Sequence, residues 1–170
     1  MKQSDLLLAA AGALTALCCG AARADDGIQA HARLIGYQEV PALASGATGT
    51  FQATLSPSSF SFVLSYSGLD ASPTQAHIHF GQKSVNGGIS VFLCSNLGNG
   101  PAGTQPCPSP GGTVTGTITA ASVIGPTGQD ISPGQFEALI RAMRAGITYA
   151  NVHSTKFPAG EIRGQIKIDD

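Results

Sequence analysis

The chain has 170 residues, a formal net charge of −1 and only 11 % charged side chains. No basic patch is available to meet a phosphate backbone, so nucleic acid is excluded as an expected partner. Its 22 Gly and 10 Pro, with no Trp, favour a turn-rich β-fold over a helical bundle.

Lys2 gives a thin positive start, partly offset by Asp5, and residues 6–20 form an almost unbroken apolar run. Ala22-Arg23-Ala24 then places small residues where a signal peptidase cuts. The expectation is a secretory signal peptide over residues 1–24, cleaved after Ala24, and a single domain over residues 25–170 in the periplasm or outside the cell. The alternative, a membrane anchor, needs ~20 apolar residues. The run is shorter, so no membrane span is expected after cleavage. Cys18 and Cys19 lack the small preceding residue of a lipobox and should leave with the peptide.

Period-two alternation recurs through the rest of the chain. Strands are predicted over residues 28–36, 47–55, 60–66, 75–81, 88–94, 113–120, 147–153 and 160–168. In the third, Phe60, Phe62, Leu64 and Tyr66 share one face. In the last, Ile162, Ile166 and Ile168 should point inward, and Glu161, Arg163, Gln165 and Lys167 outward. The fold class that follows is all-β: an antiparallel immunoglobulin-like or superoxide-dismutase-like sandwich of about eight strands with one short helix. Ile78, Phe80, Phe62, Leu64, Ile162 and Ile166 are the expected core. The helix is predicted over residues 133–145, with Ser132 as N-cap, Pro133 in the first turn and Gln135 completing a capping box. Phe136, Leu139, Ile140 and Met143 form a stripe at helical spacing. That stripe suits packing onto the sandwich better than a partner groove.

After cleavage two cysteines remain, Cys94 and Cys107, flanking a long Gly/Pro-rich loop. In an oxidising compartment they should pair, a closure worth about 3 kcal/mol in the loop-entropy account. A redox or metal-binding pair is the alternative, but the spacing is far from C-x-x-C.

The chemistry lies in the histidines: His31, His77, His79 and His153. His77-Ile78-His79 is an H-x-H step on a strand. Alternation sends both imidazoles to one face and Ala76, Ile78 and Phe80 to the other. With the apolar set in the core, the two rings should stand on the outer face with α-carbons ~6.6–6.8 Å apart. Two imidazoles so placed can share one metal ion with bonds of ~2.0–2.1 Å. The alternative is that they hydrogen-bond a neighbouring loop. His31, beside the first strand, is either a weaker further ligand or simply solvated.

Several phrases together resemble the chordin-like (CHRD) domain. They are Ala32-Arg33-Leu34 with Glu39-Val40-Pro41, then Gln75-Ala76-His77-Ile78-His79-Phe80-Gly81, then residues 140–146 leading into Tyr149-Ala150-Asn151-Val152-His153-Ser154. The last is Phe157-Pro158-Ala159-Gly160-Glu161-Ile162-Arg163-Gly164-Gln165. The resemblance runs from about residue 30 to 168 and implies an extracellular β-domain. In animals that domain sits in an antagonist of growth-factor signalling; this chain resembles the bacterial single-domain type. The His77-x-His79 strand is also similar to the copper-binding strand of copper, zinc superoxide dismutase, where a distant histidine from a later strand completes the site. The similarity implies that role for His153. No histidine lies between His79 and His153, so the bridging ligand and zinc cluster of that family are missing and dismutase activity is not implied. Asn151, Glu161 and Arg163 flank this area, either as support or a fourth ligand for a metal, or as a salt bridge or polar clamp on the 157–160 turn.

Two functions remain in view. One is a secreted or periplasmic module binding copper or zinc on His77, His79 and His153. The other is a metal-free extracellular module recognising a protein or polysaccharide through its loops. An enzyme is not expected, since no Ser-His-Asp motif, nucleotide loop or paired-carboxylate constellation is recognisable. A copper redox reaction is the least remote exception.

Overall fold

The computed structural model describes residues 27–169. The expected signal peptide and its cleavage after Ala24, with Cys18 and Cys19, lie outside the described residues.

The strands are β1 (Ile28–Ile35), β2 (Thr48–Leu55), β3 (Ser59–Ser67), β4 (Pro73–Phe80), β5 (Gly88–Ser95), β6 (Gly112–Thr119), β7 (Thr148–Ser154), β8 (Ile162–Gln165) and β9 (Lys167–Ile168), with one helix, α1 (Phe136–Arg144). They form a nine-stranded sheet in the order β5-β4-β7-β8-β1-β2-β3-β6, with β9 also paired to β1. Every pairing is antiparallel. The expected all-β antiparallel class is therefore present, as one curled sheet whose two ends nearly meet. The Gln105 amide spans that seam, donating to the Thr115 carbonyl on β6 at 2.8 Å and to the Leu93 carbonyl on β5 at 3.4 Å.

On β2, β3 and β6 the alternation works as period-two reasoning requires. Phe60, Phe62, Leu64 and Tyr66 are buried, while Ser61 and Val63 between them are exposed. Each large apolar side chain so buried contributes about 1.5–3 kcal/mol. Helix α1 closes the core with Phe136, Leu139 and Met143, and Ile140 packs partly against it. Phe136 stacks on Phe60 with ring centroids 6.1 Å apart, so the stripe faces the core. The helix begins at Phe136 instead of at residue 133 because Gly134 sits at φ +85°, outside any right-handed helix. Half of the expected capping box survives, the Gln135 side chain accepting from the Ser132 backbone N–H at 2.8 Å.

Cys94 and Cys107 are disulfide-bonded, with α-carbons 5.0 Å apart. The bridge ties the end of β5 to the loop before β6. Asn96 reinforces it, donating to the carbonyls of Pro73 and Cys107 and accepting from the Cys107 N–H.

Two expectations about faces need correction. β4, β5 and β7 are largely buried on both sides, β7 along its whole length. His77, His79, Glu161 and Arg163 do point away from the apolar core, but they are buried, not solvated. Loops folded over that face supply backbone carbonyls and make a second, polar interior. The strand expected over residues 160–168 is split at Ile166, where the chain passes from β8 to β9, and Phe80 at the strand end is only half-buried.

Candidate metal centre

The register explains why three distant histidines meet. β4 pairs with β7 so that His77 lies opposite Asn151, His79 opposite Tyr149 and Gln75 opposite His153. Directly opposed residues share a face, so His153 is the diagonal neighbour of His77, within side-chain reach. On the other side, the β4–β5 register shifts at Ala76/His77 and again at Ile78/His79. One irregularity lies just before the H-x-H step and the other within it, and such bulges re-aim side chains at sites. Here they set Phe92 edge-on to His77, with centroids 4.3 Å apart.

His77, His79 and His153 are 0 %, 7 % and 5 % exposed. Their candidate ligand nitrogens all lie within 4.8 Å of one another. Backbone acceptors orient two of the rings. His79 Nδ1–H donates to the Gly87 carbonyl at 3.0 Å and His153 Nδ1–H to the Pro158 carbonyl at 3.0 Å. Each therefore turns an Nε2 lone pair towards the cluster. The His77 Nδ1–His153 Nε2 separation is 3.1 Å, so in the neutral protein His77 Nδ1–H donates to His153. His77 Nε2 and His79 Nε2 are buried with no hydrogen-bond partner. Orphaned buried acceptors are costly and rare in native proteins, and a metal ion is one of their few natural complements.

Burial makes all three rings poor bases. His77 is pushed down to about 2, by desolvation first and then by repulsion from His153 and His79. His79 falls to about 4, mainly by desolvation, against the opposing help of its Gly87 bond. His153 is lowered too, again chiefly by burial. The cluster is thus held neutral, the state in which imidazole binds metal.

The surrounding residues are a support. Tyr149 stacks on His79 with centroids 4.8 Å apart and 2° between planes, and the Arg163 guanidinium lies 3.4 Å from the Tyr149 ring centroid. Arg163 also donates to the Gln82 and Val85 carbonyls and to Asn86 Oδ1, holding down the loop that carries Gly87. Glu161 accepts from Ser45 Oγ at 2.8 Å and from the Asp70 N–H at 2.7 Å. No Glu161–Arg163 ion pair forms among the described residues, so that expectation is replaced by two separate clamps on different loops. Asn151 joins β7 to Glu39, Nδ2 to Oε1 at 2.7 Å. Burial pushes the Glu39 carboxyl up to about 7, against the opposing pull of Asn151. The fit is close: a methyl group on Gly160, at φ +130°, would stand 2.7 Å from Asn151 Nδ2 and 2.8 Å from Glu39 Oε1.

No carboxylate or thiolate joins the three imidazoles among the described residues, so Glu161 does not act as a fourth ligand. His31 is apart from the cluster, half exposed and paired with Asp169 at 3.1 Å. Sequence reasoning missed Tyr149 and Phe92 as ring partners. Tyr149 was accessible to it, since Tyr149, Asn151 and His153 have the same parity on one strand.

The family model of the CHRD domain matches residues 30–166. That span covers most of the chain, which belongs to the CHRD domain family. No curated protein matches it in sequence. Family membership fits an extracellular or periplasmic module, and no helix among the described residues is long and apolar enough to cross a membrane.

Proposed function

We propose that this chain is a secreted or periplasmic metal-binding module that holds one copper or zinc ion on His77, His79 and His153. The observation that carries the reading is the pair of buried, unpartnered Nε2 atoms on His77 and His79 beside a third ring nitrogen oriented by Pro158. The ring partners make the arrangement rigid before any ion arrives, which lowers the cost of binding. For His153 Nε2 to bind an ion its hydrogen bond from His77 Nδ1 must break; the ion then meets His77 at Nε2, or at Nδ1 with the proton moved to Nε2, so that the ring stays neutral. The alternative, a metal-free module that meets a protein or polysaccharide through its loops, draws on the same 3.1 Å contact, which already satisfies two of the ring nitrogens.

The test is metal analysis of the protein purified without chelators, followed by calorimetric titration with Cu(II) and Zn(II) at pH 7.5 and 5.5. One equivalent bound at pH 7.5, retained at pH 5.5 because His77 and His79 are already neutral there, and lost in His79→Ala, supports the proposal. No binding at micromolar concentrations of either ion would leave the metal-free module as the better reading.

A further inference from the structure

We infer that the centre selects a monovalent, soft ion, Cu(I), over Zn(II) and Cu(II). The inference rests on the metal-module reading and specifies its ion.

Charge is the first argument. All three ligands are neutral, and among the described residues no Asp, Glu or Cys stands with them. The buried complex would therefore carry the whole charge of its ion. Solvation cost grows as the square of charge, so burying a dication costs about four times as much as burying a monocation. Divalent sites recover that cost from carboxylate or thiolate ligands, or from water at an open position. Here the rings are 0 %, 7 % and 5 % exposed. The charged group behind His79 has the wrong sign for a dication: Arg163 lies on the far face of the Tyr149 ring that His79 stacks against. The carboxylate of Glu39 is bound to Asn151 and does not reach a ring nitrogen within hydrogen-bond distance.

Ring support is the second. Metal-binding histidines donate their other N–H to a carboxylate, a backbone carbonyl or water, and only the first adds negative charge that offsets a dication. His79 and His153 donate instead to the backbone carbonyls of Gly87 and Pro158. These acceptors fix the rings but add no negative charge.

The experiment uses the chain without residues 1–24, so that Cys18 and Cys19 offer no competing thiols, purified with the Cys94–Cys107 bridge intact and handled without oxygen. Cu(I) is titrated in competition with bicinchoninate, Zn(II) and Cu(II) against chelators of known affinity, and Ag(I) is added as a redox-inert probe while the imidazole nitrogens are followed by NMR. The expected result is one Cu(I) per chain, bound roughly 100-fold more tightly than Zn(II) or Cu(II). Ag(I) should shift three imidazoles and leave His31 unmoved. His79→Ala should lose the Cu(I) affinity and His31→Ala retain it; the Ag(I) spectrum of the parent decides the matter should His79→Ala not fold. Zn(II) or Cu(II) binding as tightly as Cu(I) at the same three rings would overturn the inference and leave the metal module standing. Failure of every ion to bind would remove both.

Discussion

His79 and Tyr149 lie face to face, 4.8 Å between centroids and 2° from parallel, and Arg163 covers the other face of the tyrosine. The three side chains come from β4, β7 and β8, so the stack links neighbouring strands through their polar face. Arg163 then carries the link into the loop above them by binding the Gln82 and Val85 carbonyls. Its removal strips donors from buried carbonyls and a cation from an aromatic face. Arg163→Ala should cost about 3 kcal/mol, measured by urea unfolding. Arg163→Lys should recover only part of that, because an ammonium cannot both stack on the ring and span two carbonyls.

Replacing a ligand should separate binding from stability. His79→Phe keeps an aromatic ring on Tyr149 and removes a buried orphan acceptor, at the expense of one bond to the Gly87 carbonyl. The apo variant should unfold within about 1 kcal/mol of the parent. With metal at 1,000 times its Kd the parent should gain about 4 kcal/mol and the variant almost none. Thermal denaturation with and without added ion checks both halves. An equal metal-induced shift in parent and variant would count against His79 as a ligand.

Acid should destabilise the fold. The three clustered histidines have depressed folded pKa values, His79 near 4 and His77 near 2. Their contribution is present above the ordinary histidine value of 6.5 and is lost as pH falls from there towards the folded values, because the unfolded chain takes up the protons. Glu39 acts in the opposite sense. Its folded value is raised to about 7, so its contribution is full below 4.5 and lost as pH rises through 7. His77 and His79 against Glu39 leave a net uptake of about one proton on unfolding near pH 5, a slope of roughly 1–2 kcal/mol per pH unit, and the lowered His153 adds to it in the same direction. Chemical denaturation at pH 5.0, 6.0 and 7.0 gives the slope directly. Flat stability across that range would mean that the rings are hydrated.

The disulfide closes a short segment, a sequence separation of 13 residues. Cys94→Ser with Cys107→Ser should lower stability by about 3 kcal/mol. Alkylation of the native protein should find neither cysteine reactive before reduction.

Much of the fold was legible where one face meets water. Phe60, Phe62, Leu64 and Tyr66 read as a core face because serines and an exposed valine alternate with them, and the structure buries all four. The same period correctly separated His77 and His79 from Ile78. It could not reveal that the histidine face is covered, because the cover consists of main-chain carbonyls at Gln82, Val85, Gly87 and Pro158, and carbonyls leave no mark in a side-chain pattern. Arg163 shows the limit most clearly. An arginine in an alternating strand reads as solvated, yet this one is 1 % exposed because loop acceptors replace its water. The convergence of His153 on His77 was reachable by similarity alone, since it depends on a strand register that no local pattern encodes.

The seam spanned by Gln105 has a consequence for the chain as a material. β5 and β6 are the two ends of the sheet, and an uncovered strand end is a template on which other chains can add. In this protein a single amide bridges both ends, and the loop that carries it is anchored two residues away by Cys107. The bridge is therefore expected to limit such addition as well as to add folding free energy. Reduction or Gln105→Ala should release the seam and turn a monodisperse solution into one that grows oligomers with concentration, visible by light scattering well before the far-ultraviolet signal of the sheet is lost.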